Sequence, residues 1–265
     1  MPLAPGSRVG PYEIVAPLGA GGMGEVYRAR DARLGRDVAI KALPEAFAGD
    51  AERLARFERE ARLLASLSHP NLAAIYGLEE VAGARYLALE LVEGETLASR
   101  LARGPLPVDE ALDVARQIAA GVEAAHESDV IHRDLKPANV MLATSGAVKV
   151  LDFGLAKSSV AARSGSDPSL SASPTMTSPA TVAGVILGTA AYMSPEQARG
   201  RAVDKRTDVW SFGCILFECL TGRQAFGGET VSDIVARILQ TEPEWTSLPG
   251  SVPERVRALL ARCLE

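Results

Sequence analysis

Eight consecutive positions, His132-Arg133-Asp134-Leu135-Lys136-Pro137-Ala138-Asn139, crowd a His, an Arg, an Asp, a Lys and an Asn between the apolar flanks Val130-Ile131 and Val140-Met141-Leu142. Charge between two greasy ends marks a short loop held on a rigid frame, where binding and catalytic residues usually sit. Asp134 can orient an attacking hydroxyl and accept its proton, and Lys136 can steady the charge of a transferring phosphoryl group. Asn139, together with Asp152 at the end of the run Val148-Lys149-Val150-Leu151, offers hard oxygen ligands to Mg²⁺. Such a site works by positioning and neutralising. A lone loop Asp more often caps a turn, but further motifs accompany this one.

Gly19-Ala20-Gly21-Gly22-Met23-Gly24 lies between two stretches of strand character. A dinucleotide fingerprint needs a helix after its glycines, and Glu25-Val26-Tyr27 continues as strand instead. Glycines in a hairpin let backbone N–H groups approach phosphate oxygens, which suits a lid over a triphosphate; an ordinary flexible hairpin has the same composition. In Val38-Ala39-Ile40-Lys41, strand alternation puts Ala39 and Lys41 on one face, so Lys41 is either a point charge aimed at anionic oxygens or a strand-end lysine reaching solvent. Glu60 favours the first. It falls inside the apolar arc of a helix, where a carboxylate is costly unless paired, and Lys41 is the opposite charge within the same region.

The elements that must hold these residues are legible as patterns. Residues 12–43 alternate in three short runs broken by glycine, as antiparallel strands do. From Asp50 to Leu67 the apolar positions Leu54, Phe57, Ala61, Leu64 and Leu67 step by three and four, predicting a helix. Residues 69–80 and 84–94 read as two more strands. Helical signals dominate beyond Gly94: residues 95–104, 108–128, 207–222 with Thr207 as N-cap and Gly222 as stop, and 230–240. Residues 158–184 are rich in Ser, Thr, Ala and Pro, without periodicity. The expectation is an α+β chain, a lobe of sheet followed by a mainly helical one.

At 265 residues the chain can bury a sizeable core. A formal charge of −5 provides no basic field for nucleic acid. Cys214, Cys219 and Cys263 have neither zinc nor disulfide-frame spacing and predict buried thiols in a reducing compartment. No run reaches the roughly 18 apolar residues of a membrane span, and the N-terminus lacks a signal-peptide core. The expectation is a cytoplasmic segment without membrane contact of its own.

Taken in order, Gly19 to Gly24, "VAIK" ending in Lys41, Glu60, "HRDLKPAN" from His132, "DFG" from Asp152, "SPE" from Ser194 and "DVWSFG" from Asp208 resemble the protein kinase family over nearly the whole chain. "DLKPAN" resembles the serine/threonine branch, and "GTAAYMSPEQARG" resembles the bacterial, eukaryotic-like (Hanks-type) subgroup. The resemblance implies a bilobal fold: residues 1–93 as an N-lobe with a five-stranded antiparallel sheet and one key helix, and residues 94–265 as a mainly helical C-lobe. It implies transfer of the γ-phosphoryl group of ATP, with Mg²⁺ or Mn²⁺, to Ser and Thr hydroxyls of proteins, itself included, and a capacity for homodimers. A nucleotide-binding pseudokinase scaffold is the alternative, but such proteins usually lack the lysine or one of the two aspartates, and Lys41, Asp134 and Asp152 are all present.

Carried over by position, Leu18 and the segment Gly19, Ala20, Gly21, Gly22, Met23 and Gly24 would cover the nucleotide, and Val26, Ala39 and Met141 would sandwich the adenine. Glu90, Leu91 and Val92 would form the hinge behind Leu89 as gatekeeper. Leu64, Phe153 and His132 would belong to a stacked column. Thr189 would contact Asp134 and Lys136, and Asp208 would hold the backbone of the catalytic loop. Arg133 would pair with a phosphate placed on Thr175, Thr177, Ser178 or Thr181, Thr181 ranking first as nearest the docking stretch. The reach of Asp134, Lys136 and Thr189 suits the short side chains of Ser and Thr over Tyr.

This chain departs from the family pattern in three places. Glu196 normally pairs with an arginine shortly after "CL", but the sequence stops at "ARCLE", as if cut before the last helix. "SPE" replaces the commoner "APE", an exchange expected to have little chemical consequence. The segment between "DFG" and "SPE" is longer than in compact relatives. A membrane anchor beyond residue 265 is compatible with the subgroup.

Overall fold

The computed structural model describes residues 3–21, 24–43, 51–153 and 189–265. The chain divides into two compact units, Met1–Glu93 and Gly94–Glu265. In the first, β1 (Arg8–Val9), β2 (Tyr12–Gly21), β3 (Gly24–Asp31), β4 (Arg36–Ala42), α1 (Ala51–Ser66), β5 (Ile75–Val81) and β6 (Ala84–Glu90) follow one another. The strands form one antiparallel sheet in the order β1-β2-β3-β4-β6-β5. Five of these are the expected strands. The sixth, β1, corrects that count: two residues pair Arg8 with Glu13 and Val9 with Tyr12, too short a run to leave a periodic signal. The run from His69 becomes strand only at Ile75, because Leu72 N–H bonds the His69 carbonyl (3.1 Å) and Asn71 N–H the His69 ring (3.2 Å), closing a turn first.

Period-two alternation sends Tyr12, Ile14, Tyr27, Ala29, Val38, Ile40, Tyr86 and Ala88 to one face, where with Val9 they form the core cluster of this unit. Direct cross-strand partners share a face, so the pairings of Val26 with Lys41, Lys41 with Leu87 and Ala39 with Leu89 gather those residues on the opposite face. Gly24 admits no side chain: its φ is +115° and an added Cβ would lie 2.1 Å from the Ala42 carbonyl oxygen. Helix α1 buries Phe57, Ala61 and Leu64, and Arg85 ties it to the sheet by bonding Glu58 (2.5 Å) and Glu80 (3.0 Å).

The second unit holds β7 (Gly94–Thr96), α2 (Leu97–Leu101), α3 (Val108–Glu127), a 3-10 turn (Pro137–Asn139), β8 (Val140–Ala143), β9 (Val148–Val150), α4 (Pro195–Ala198), α5 (Arg206–Thr221), α6 (Val231–Gln240) and α7 (Glu254–Cys263). Strands β7, β8 and β9 make a small antiparallel sheet. The helix expected from Glu95 starts at Leu97, since Thr96 ends β7 and caps α2 through Ser99 N–H. Helix α5 buries Trp210, Cys214, Ile215, Leu216, Phe217, Cys219 and Leu220, apolar on most of its circumference as a helix enclosed by others must be. It ends at Gly222 (φ +68°), as expected. Its start differs from expectation. Lys205 already has helical backbone angles and Asp204 accepts the Arg206 N–H (2.9 Å), so Thr207 lies inside the helix and its hydroxyl turns elsewhere. Helix α7, which the sequence reading left out, buries Val256, Leu260 and Cys263, a step of four then three. All three cysteines are free and buried, and burial pushes each thiol up.

Candidate active site

The charged loop that follows α3 sits between the end of that helix and β8. Asp134 is 5% exposed. Its Oδ2 accepts from Lys136 Nζ at 2.9 Å and from Asn139 Nδ2 at 3.3 Å, and Asn139 Nδ2 also donates to the Asp134 carbonyl at 2.9 Å. Lys136 Nζ donates in addition to Thr189 Oγ1 at 2.9 Å. One ammonium therefore bridges two groups far apart in sequence. Asn139, inside the 3-10 turn, offers its carbonyl to Leu151 N–H (2.8 Å), which brings the backbone before Asp152 against the loop. Asp152 has φ +50°, a left-handed backbone that an Asp tolerates better than most residues.

His132 is fully buried and organises the turn. Asp134 N–H donates to its Nδ1 (3.2 Å), so the proton sits on Nε2, which donates to the Leu151 carbonyl (2.8 Å). Burial holds its pKa below the ordinary histidine value, in keeping with a neutral ring. Phe153 packs on it with ring centroids 4.6 Å apart. Asp208 of α5, 0% exposed, accepts from the amides of His132 (Oδ2, 2.8 Å) and Arg133 (Oδ1, 2.8 Å) and lies 2.7 Å from His126 Nε2. His132 is 0% exposed, so the acceptor for its amide must come from the protein. Arg133 has φ +62°. Its Nε is buried with no partner among the described residues.

The segment from Thr189 to Ser194 is moored to α5. Ser211 Oγ donates to the Tyr192 carbonyl (2.8 Å), and the Tyr192 hydroxyl donates to Glu218 Oε2 (2.5 Å). Burial pushes the Glu218 carboxyl up, against the opposing pull of that hydrogen bond. Thr207 Oγ1 donates to Glu196 Oε1 (2.7 Å) and meets Ser194 Oγ (2.6 Å). Ser194 is 0% exposed and caps α4, with Gln197 completing the reciprocal pair. The exchange of Ala for Ser in "SPE" thus has a chemical consequence, contrary to expectation: the hydroxyl enters a buried network. Gln197 Nε2 also donates to the Arg133 carbonyl (2.9 Å).

The second unit brings together Asp134, Lys136, Asn139 and Thr189, with Arg133 adjacent and Asp152 joined through backbone. Met141 lies on β8 opposite Thr96 and Lys149. In the first unit Val26, Ala39 and Lys41 share a sheet face; Lys41 is buried and Glu60 half-buried on α1. Leu18 is exposed on β2, where Gly19, Ala20 and Gly21 pair with Val26, Glu25 and Gly24. The Glu90 N–H and side chain bond Ala74, and Val92 follows β6. Gly22, Met23, Thr175, Thr177, Ser178 and Thr181 lie outside the described residues. Sequence reading passed over His126, Ser194 and Gln197 as functional. The last two had a signal, since Ser-x-x-Gln is a capping-box pattern; His126 had none, because its partner is 82 residues away.

Comparison with known proteins follows this geometry. The family described as the protein kinase domain matches residues 12–265. The serine/threonine-protein kinase PrkC of Bacillus subtilis (strain 168) is 40% identical over 260 residues, covering 97% of this chain and 38% of that protein. PknB of Mycobacterium leprae (strain TN) is 39% identical over 88% of this chain and 36% of its own length. PknA of Mycobacterium tuberculosis (strain ATCC 25177 / H37Ra) is 37% identical over 95% and 56%. The chain thus spans between 36% and 56% of the length of these relatives.

Proposed function

Because the chain belongs to the protein kinase domain family, we propose that it is an ATP-dependent protein serine/threonine kinase acting on Ser and Thr hydroxyls of protein substrates, itself included. The observation that carries this reading is Lys136 Nζ bridging Asp134 Oδ2 and Thr189 Oγ1 at 2.9 Å each. Asp134 orients the acceptor hydroxyl and takes its proton as the oxygen bonds to the γ-phosphorus and the bond to the β,γ-bridging oxygen of ATP breaks. Lys136 balances the negative charge on the phosphoryl oxygens. Thr189, by fixing Lys136, sets a depth that short Ser and Thr side chains match.

The donor set fits a hard divalent cation. Asn139 directs its Nδ2 at Asp134, so its amide oxygen faces away from that contact and, with the Asp152 carboxylate, would be the ligand pair for Mg²⁺ or Mn²⁺. An ion there would take its other ligands from phosphate and water. The ion would supply charge neutralisation at the phosphates. In the first unit, the glycine hairpin with Leu18, and the face carrying Val26, Ala39 and Lys41, are assigned to the nucleotide, and Glu60 to Lys41; Glu90 and Val92 are assigned to its base.

Arg133 is assigned to an activating phosphate on Thr175, Thr177, Ser178 or Thr181, a reading supported by its buried Nε. No helix among the described residues is long and apolar enough to cross a membrane. Three free, buried thiols support placing this segment in the reducing cytoplasm. The test is incubation of the purified chain with γ-labelled ATP and Mg²⁺, with Asp134→Asn as control, followed by phosphoamino-acid analysis. Phosphoserine and phosphothreonine that vanish in the variant are expected. Nucleotide binding without transfer, or a predominance of phosphotyrosine, would overturn the assignment.

A further inference from the structure

We propose that Gln197 is a positioning residue for Asp134, acting through the peptide plane between Arg133 and Asp134; this rests on the phosphotransfer reading of Asp134. The carbonyl of that plane accepts from Gln197 Nε2 (2.9 Å), and its N–H donates to His132 Nδ1 (3.2 Å). Both edges are therefore pinned, and the plane's rotation sets the direction in which the Asp134 side chain leaves the backbone. The preceding Arg133 has φ +62°, a conformation that persists only where the surroundings over-determine it. Asp208 holds the amides of His132 and Arg133; Gln197 supplies the hold on the carbonyl side.

The side chain at 197 does a second thing at the same time. Its Oε1 accepts the Ser194 N–H (3.0 Å), and the Gln197 N–H donates in return to the Ser194 hydroxyl oxygen (3.4 Å). The amide accepts from an N–H at its oxygen and donates to a carbonyl at its nitrogen, and both contacts fix the same orientation of that amide. Gln197 thus couples the Thr189–Ser194 segment, moored on α5, to the residue before the proposed base. A carboxylate there would keep the cap, and at the third helical position would favour it, but would set an anion against the Arg133 carbonyl.

That asymmetry supplies the experiment. Gln197→Glu keeps the acceptor and loses the donor; Gln197→Lys keeps a donor and loses the acceptor. Hydrogen exchange of peptides covering residues 130–136, melting temperature, and kcat and KM for ATP are measured for each with the full chain. Gln197→Glu is expected to melt as wild type, to exchange faster at residues 130–136, and to lose about 10- to 100-fold in kcat with KM for ATP nearly unchanged, the scale of a small misplacement of a reacting group. Gln197→Lys is expected to melt lower yet retain loop protection and most of kcat. Wild-type loop exchange in Gln197→Glu, or loss of loop protection in Gln197→Lys as large as in Gln197→Glu, would overturn the proposal. The exchange readout decides this even if the wild-type chain transfers no phosphate, a result that would fall on the kinase reading alone.

Discussion

Asp208→Asn isolates what α5 does for the loop of residues 132–139. The carboxylate is fully buried and serves three donors, His132 N–H and His126 Nε2 at Oδ2 and Arg133 N–H at Oδ1. An amide of the same shape has one oxygen. Placed toward His132 and His126, it turns its NH₂ on the Arg133 N–H; turned round, it orphans the His132 N–H. Either way one buried amide loses its acceptor, costing about 1–3 kcal/mol, and each remaining bond weakens by roughly 1 kcal/mol as its acceptor becomes neutral. A destabilisation near 4 kcal/mol lowers the melting temperature by about 8–16 °C in a chain of this size. Because the disturbed peptides lead directly into Asp134, kcat should fall by about 10²-fold even well below the melting point. Thermal melting and steady-state phosphorylation of a Ser/Thr peptide measure both. Melting within about 3 °C of wild type, with unchanged kcat, would refute the view that this carboxylate holds the loop.

Lys136→Met and Thr189→Val, singly and together, should lower kcat non-additively because one ammonium serves both Asp134 and Thr189; strict additivity in the double-mutant cycle would count against the bridge. Lys41→Met and Glu60→Gln should likewise be non-additive in transfer rate if the two charges act as a pair, and additive rates would remove the need for one. His132 has a folded pKa lowered from 6.5 by burial, so the unfolded chain binds its proton first: this contribution is present above the unfolded value and declines by up to ~1.4 kcal/mol per pH unit as pH falls below it. Denaturant melts from pH 7.5 to 5.5 should show that decline, and His132→Phe should flatten it while lowering stability throughout. Finally, an aromatic disulfide reagent should label none of the three cysteines in the native chain and all three after unfolding; prompt native labelling would contradict their burial.

Much of this protein is legible in its sequence because its local patterns agree with the final structure. Period-two runs in β2, β3, β4 and β6 become sheet, with Val38 and Ile40 in the core on the face opposite Ala39 and Lys41, the three-and-four spacing of Phe57, Ala61 and Leu64 becomes the buried side of α1, and Gly222 ends α5 where a left-handed residue is needed. The proximity of Asp134, Lys136 and Asn139 was legible because they are close in sequence, and close spacing limits how they can be arranged. What depended on the tertiary structure involves partners distant along the chain. Thr207 reads as a cap but lies inside α5, which starts at Arg206, and its hydroxyl goes instead to Glu196 and Ser194. Ser194 reads as a neutral exchange but is fully buried, where its hydroxyl must bond. His126 meets Asp208 across 82 residues, and Gln197 meets Arg133 across 64. Periodicity reports which side of an element is buried, whereas hydrogen-bond identity in a buried network depends on which donors and acceptors the packing places within about 3 Å of one another.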